Sequence, residues 1–280
     1  MTTSVLPQTA TDRLRWAVAD GWTVTRRDLA HWVRQPGPVI FSLLFSVMIV
    51  LMFGYLFGGA MAMPGRAGGG QASGDYREFL MPGMFVMTML FGVGETVSAV
   101  TADARKGVTD RFRAMPMAPS AVVVGRGTAD MLNAILVLLV MIACGFAVGW
   151  RAHGGVPETV LAFVLVLLLR FALIWIGIYL GLIIKGEEGV TMVQTLEFPL
   201  GFLSSAFVAP STMPGWLGAV AEWNPLSSTI LATRELFGNP GWGGDSWITQ
   251  HALLMAIVWP LLLVAIFFPL AVRRYAALGR

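Results

Sequence analysis

The chain has 280 residues, 56% of them hydrophobic and 12% charged, and that charged share is about half the share usual in soluble domains. Its formal net charge of +3 is gathered in a few loops, which is the pattern of membrane topology and not of a nucleic-acid surface. One cysteine, Cys144, excludes an intrachain disulfide and any cysteine-built metal centre.

Residues 1–12 are polar and lack the apolar core of a cleavable signal peptide, so none is expected. Residues 12–35 carry Arg13, Arg15, Arg26, Arg27 and Arg34 beside Trp16, Trp22 and Trp32. Leu14, Val18, Trp22, Leu29 and Val33 recur near helical spacing. That combination predicts an amphipathic helix lying in the headgroup region, a soluble surface helix being the plainer alternative. Pro36-Gly37-Pro38 ends it, since proline cannot continue the backbone ladder.

Spans are predicted at 39–59, 78–102, 128–150, 158–184, 189–209 and 247–272, each long enough for a hydrocarbon layer that needs about 20 apolar residues. The expected fold is thus an all-α membrane protein with six transmembrane helices in a single domain, residues 1–280. Gly- and Ser-rich residues 60–76 read as a flexible loop. Three spans contain Gly-x-x-x-Gly, at Gly54/Gly58, Gly145/Gly149 and Gly177/Gly181, a spacing that lets helix backbones approach closely in lipid.

The loop 103–126 holds Arg105, Lys106, Arg111, Arg113 and Arg126. Basic residues are retained on the cytoplasmic face, so this loop is expected inside, and an even number of spans puts both termini there too. Fourteen of the nineteen Lys and Arg residues then lie inside. Arg66, Arg77, Arg151 and Arg234 lie outside, and Arg170 falls within a span.

Residues 210–237 are too polar and proline-rich for a span and too apolar for a solvated loop. Trp216, Leu217, Val220 and Trp223 share one helical face, Asn224-Pro225 breaks the chain, and Ser227–Phe237 fits a second short helix with Arg234 near its end. Irregular backbone at membrane depth must be buried in protein or line a wet cavity, which predicts an outer re-entrant helical hairpin.

Three ionisable groups stand inside predicted spans: Glu95, Arg170 and Glu197, with Asp130 near the inner mouth of the third. Such groups mark either a transport path or a buried ion pair. His31, His153 and His251 are scattered and show no metal-ligand spacing. No nucleophile elbow or zinc-protease motif occurs, and no Gly-Lys dipeptide exists, which excludes a phosphate-binding P-loop. The expectation is a membrane protein with no catalytic residues, no metal and no cofactor of its own.

Three stretches together resemble permease subunits of type-2 ABC exporters, in particular the daunorubicin/doxorubicin-resistance-like branch. They are the amphipathic N-terminal helix, residues 105–116 (RKGVTDRFRAMP), and the run from Met213-Pro214-Gly215-Trp216 through Asn224-Pro225-Leu226 to Arg234. The resemblance covers almost the whole chain. It implies a cytoplasmic coupling helix around Gly107, Arg111, Phe112, Arg113 and Pro116 that docks on a separate ABC ATPase, with ATP and Mg bound there. It also implies a second permease subunit, outer re-entrant helices at 210–237, residence in a bacterial inner membrane, and export of a hydrophobic or amphipathic drug, antibiotic or lipid. Where that family often has Glu-Arg before the glycine, this chain has Ala104-Arg105-Lys106. Two readings of other classes stand beside it: an ion-coupled secondary carrier using Glu95, Arg170 and Glu197, and a membrane scaffold. No internal repeat relates residues 39–150 to 158–272, as many secondary carriers would show.

Overall fold

Proline and glycine set most of the helix boundaries. In the computed structural model, which describes residues 10–34, 36–57, 72–115, 119–208, 210–239, 241 and 246–278, α1 (Ala10–Arg34) stops short of Pro36. Pro38 lies in the first turn of α2 (Gly37–Leu51), where its missing N–H is no loss. α2 runs directly into a π-helical turn, Met52–Phe57. α3 (Ala72–Arg105) is parted from α4 (Val108–Ala114) by Gly107 at φ +67°, a left-handed conformation that favours glycine. α5 (Pro119–Val148), α6 (Val156–Ile183) and α7 (Glu187–Phe202) follow. A 3-10 turn (Pro210–Thr212) leads to α8 (Gly215–Trp223) and α9 (Pro225–Phe237). α10 (Trp247–Gln250) and the long α11 (Ala252–Ala277) complete the chain. Among the described residues every regular element is helical.

Among the described residues four helices are long and apolar enough to cross a membrane: Tyr76–Arg105, Ser120–Val148, Val156–Ile183 and Ala252–Ala277. Several boundaries differ from the sequence reading. α3 starts at Ala72, so the last residues of the predicted flexible loop 60–76 are helical, the rest of that loop lying outside the described residues. α5 starts at Pro119, well before residue 128, so the basic loop is mostly helix. α7 ends at Phe202 and not near 209. There the carbonyls of Ser205 and Ala206 are taken by the Arg234 guanidinium at 2.8 and 2.9 Å, leaving them no role in a continuing helix.

α3 is the axis of the bundle. All residues from Phe79 to Leu90 are buried, as expected of a helix that is apolar all round. It packs against α6 and α7 over much of its length, and against α5 and α9. The α3–α6 seam uses Gly177 and Gly181: a Cβ there would sit 2.8 Å from Thr96 Cβ and 2.7 Å from Val100 Cβ. Of the other Gly-x-x-x-Gly pairs, Gly145 faces Met81 but Gly149 meets no neighbouring atom, and Gly58 lies outside the described residues. A second apolar cluster, at the end of the bundle that carries α1 and α4, joins Val24, Val122, Ile178, Leu182, Ala271 and Tyr275.

Candidate functional site

The predicted docking segment is built by a break and a short helix. Gly107 separates α3 from α4, and a Cβ added to it would meet nothing within 4 Å, so this joint is free of packing. α4 exposes Asp110, Arg111, Ala114 and Met115. Phe112 turns the other way. Its ring joins the cluster of Val24, Val122 and Ile178, with the Arg27 guanidinium 5.5 Å from the ring centroid. Arg113 belongs to α4, but its side chain lies outside the described set, as does Pro116. The resemblance implied Phe112 among the residues that dock on an ATPase. Here Met115 faces out and Phe112 faces in, because an apolar cleft between α1, α5 and α6 accepts the ring.

Around that cleft stand five charged groups from three helices. Arg27 on α1 donates to both oxygens of Asp103 at the end of α3 (2.7 and 3.0 Å) and to Asp28 Oδ1 (3.1 Å). Arg126 on α5 lies 3.3 Å from Asp28 and 3.2 Å from Asp103, and its Nε is 3.5 Å from Asp130. The hydrogen bond to Asp103 raises the pKa of Arg27 above its ordinary value, against the opposing effect of burial. Burial pushes the Asp28 carboxyl up, while Arg126 and Arg27 pull it back. α1 reaches this place through close backbone contact. Gly125 lies against the Gly21 backbone, and Thr25 Oγ1 donates to the Gly125 carbonyl at 2.9 Å. Nearby, Arg105 donates to Glu187 at the start of α7; that bond holds the Glu187 carboxyl below its usual range.

Midway along α3 the predicted intramembrane charges come together. Arg170 donates to the Met89 carbonyl (3.3 Å) and to Thr96 Oγ1 (3.1 Å). Glu197 accepts from the Gly94 amide, and Glu95 is half-buried on α3 beside them. Two glycines make the room. A Cβ on Gly92 would fall 2.7 Å from the Arg170 guanidinium carbon, and one on Gly94 would fall 3.1 Å from both Glu197 oxygens. Each side chain thus grips the α3 backbone, Arg170 from α6 and Glu197 from α7.

At the opposite end of the bundle, Asn224 caps α9 by accepting from the Leu226 amide (3.0 Å) and donates to the Leu203 carbonyl (2.8 Å), with Pro225 in the first turn. Arg234 is 1% exposed. It donates to Phe79, Ser205 and Ala206 carbonyls at 2.8–3.1 Å and stacks on the Phe79 ring at 3.7 Å. Trp216 and Trp223 project outward from α8, 73% and 58% exposed.

The sequence reading missed Arg27, Asp28 and Asp103 as a unit, together with Gly92, Gly94 and the Gly21–Gly125 contact. The available signal was the presence of Asp28 and Asp103 inside or beside strongly basic stretches, where an acidic residue needs a partner. Among the described residues no cluster of His, Cys, Asp and Glu is arranged to hold a metal ion.

Comparison with known proteins places these features in one lineage. The family described as ABC-2 type transporter matches residues 20–237, the stretch from the middle of α1 to the end of α9. The chain is 32% identical to the daunorubicin resistance ABC transporter permease protein DrrB1 of Streptomyces coeruleorubidus, over 95% of this chain and 90% of that one. It is 24% identical to the putative transport permease ycf38 of Cyanophora paradoxa, covering 89% and 84%. It is 25% identical to the doxorubicin resistance ABC transporter permease protein DrrB of Mycobacterium tuberculosis (strain ATCC 25618 / H37Rv), covering 72% and 68%. The chain belongs to the ABC-2 type transporter family of membrane permeases.

Proposed function

We propose that this chain is the membrane-spanning half of an ATP-driven exporter of a hydrophobic or amphipathic compound. In this reading α2 with its π turn, α3, α5, α6, α7 and α11 are the six spans, and both termini face the cytoplasm of a bacterial cell. A separate ABC ATPase binds ATP and Mg and meets the outward face of α4 (Asp110, Arg111, Met115). A second permease chain completes the transport path. Relatives that bear the names of daunorubicin and doxorubicin resistance support a cargo of that amphipathic kind.

The observation that carries the reading is the face of α7. This helix buries only Val190, Glu197 and Gly201, one stripe against α3. The rest is exposed, and it mixes Gln194 and the acidic Glu187 and Glu188 with Met192, Leu196 and Phe198. An open groove of about 540 Å³ runs along Glu187, Glu188, Thr191, Met192, Thr195 and Leu196. Glu187 and Glu188 stand at the end of the helix, whereas Gln194 lies further in, where lipid solvates a polar group poorly; a seam between two permeases through which an amphipathic molecule passes suits it.

The test is transport. The chain, co-expressed with its ATPase and reconstituted in proteoliposomes, is expected to move daunorubicin or another fluorescent amphiphile only when ATP is present. Gln194→Leu is expected to reduce that rate severalfold while the ATPase still co-purifies. Transport driven by a proton or sodium gradient without the ATPase would replace this reading with the ion-coupled carrier.

A further inference from the structure

α4 has seven residues, too few to hold a helix by backbone hydrogen bonds alone. What fixes it is side-chain packing, and Phe112 is the central contact. Its ring enters a cleft with a cavity of about 50 Å³, lined by Val24, Val122, Val123, Ile178 and Leu182. Over the ring sits Arg27, and Arg27 is the member of the charged group that reaches back to the end of α3 through both oxygens of Asp103. Arg126 then joins Asp103 to Asp28 and Asp130. A displacement of α4 about the joint at Gly107 therefore presses on Arg27, which is bonded within α1 to Asp28 and across to α3 through Asp103, the carboxylate that Arg126 of α5 also holds.

We infer that Arg27 is a positioning residue for energy coupling: it converts movement of α4, sensed through the Phe112 ring, into a joint movement of α1, α3 and α5. The inference rests on the reading of the chain as an ATP-driven permease and adds the residue through which the signal enters the bundle. The arginine fork explains the choice of side chain. The guanidinium lies over the ring at 5.5 Å, while its two terminal nitrogens hold both oxygens of the Asp103 carboxylate, a paired geometry that lysine cannot supply. The network is bistable in form. Arg27 and Arg126 share Asp28 and Asp103, so a carboxylate released by one guanidinium remains held by the other, and the cluster can shift register without stranding a buried charge.

The experiment measures ATP hydrolysis and export side by side in the reconstituted complex. For Arg27→Gln the ATPase is expected to co-purify and to hydrolyse ATP within about twofold of the unaltered complex, while ATP-dependent export falls by about tenfold, the size of a typical coupling effect. Arg27→Lys, which keeps the charge and loses the fork, is expected to fall between the two. Should Arg27→Gln accumulate poorly, Phe112→Leu keeps apolar volume in the cleft, leaves the charged group intact, and is expected to uncouple in the same way. Hydrolysis and export falling together, both staying normal, or loss of the ATPase from the complex would each overturn the role of Arg27. Failure of the underlying permease reading is separate and visible first, as an unaltered complex that exports nothing with ATP.

Discussion

Arg170 and Arg234 are both deeply buried: Arg234 donates to three backbone carbonyls, Arg170 to one carbonyl and one threonine hydroxyl. Arg170 reaches Met89 and Thr96 across a gap that only Gly92 leaves open. A methyl group at Gly92 would collide with the guanidinium, so Gly92→Ala is expected to cost about 1–3 kcal/mol, the usual penalty of overpacking. The two sites share one space, so their effects should not add. In an Arg170→Met background the alanine should cost clearly less, and thermal unfolding of the four proteins in detergent measures the difference. Full additivity would refute direct contact. Arg170 and Glu197 were legible in the sequence, because a charge in a long apolar run stands out. Their mode of satisfaction was not. Both take backbone groups as partners, and a backbone group has no signature at a given position. The two recesses, Gly92 and Gly94, are spaced by two and fit no helix-packing motif. Arg234 hid for the same reason: its acceptors are the carbonyls of Phe79, Ser205 and Ala206.

Between α1 and α5 the crossing depends on small residues. The docked face of α1 is Gly21, Val24, Thr25 and Asp28, while Trp16, Val18 and Trp22 remain exposed. The apolar periodicity that reveals α1 as a helix therefore marks the face that does not meet α5. A face of Gly, Thr and Asp carries no hydrophobic signal, so periodicity cannot show it. The two glycines at the crossing are unequal. A Cβ on Gly125 would clash with the Gly21 backbone and come within 2.9 Å of Val24 Cβ, whereas one on Gly21 would sit 3.4 Å from the Ala121 carbonyl. Gly125→Ala is expected to destabilise the protein by about 1–3 kcal/mol and to speed proteolysis within residues 10–34. Gly21→Ala is expected to be neutral or slightly stabilising, since alanine gains about 1 kcal/mol over glycine within a helix. Equal effects at the two positions would show that α1 does not rest on α5 in this way. The end of α7 was misread for a different cause: residues 203–208 are largely apolar, and composition alone extends the span through them.

Across the whole molecule, α1, α4 and the start of α7 share one end, tied by Arg27–Asp103 and Arg105–Glu187, and α8 and α9 occupy the other. In a Cys144→Ser background, Ser211→Cys is expected to react with an impermeant thiol reagent in intact cells, while Ala114→Cys reacts only after lysis. Outside labelling of Ala114→Cys would reverse the proposed orientation. The grouping of α1 with α4 at one end and of α8 with α9 at the other agrees with the charge bias, which acts over entire loops and tolerates errors of several residues in each boundary. The early end of α7 bears on the membrane itself. Sixteen helical residues span about 24 Å, less than the roughly 30 Å of a typical hydrocarbon layer, while its neighbour α6 has twenty-eight. In the proposed six-span reading the short α7 is matched either by local thinning of the bilayer or by shielding from lipid by α8, α9 and the second permease, a mismatch that α6 does not meet. Lipid thickness then becomes a variable of transport in its own right, set by where Arg234 stops a helix.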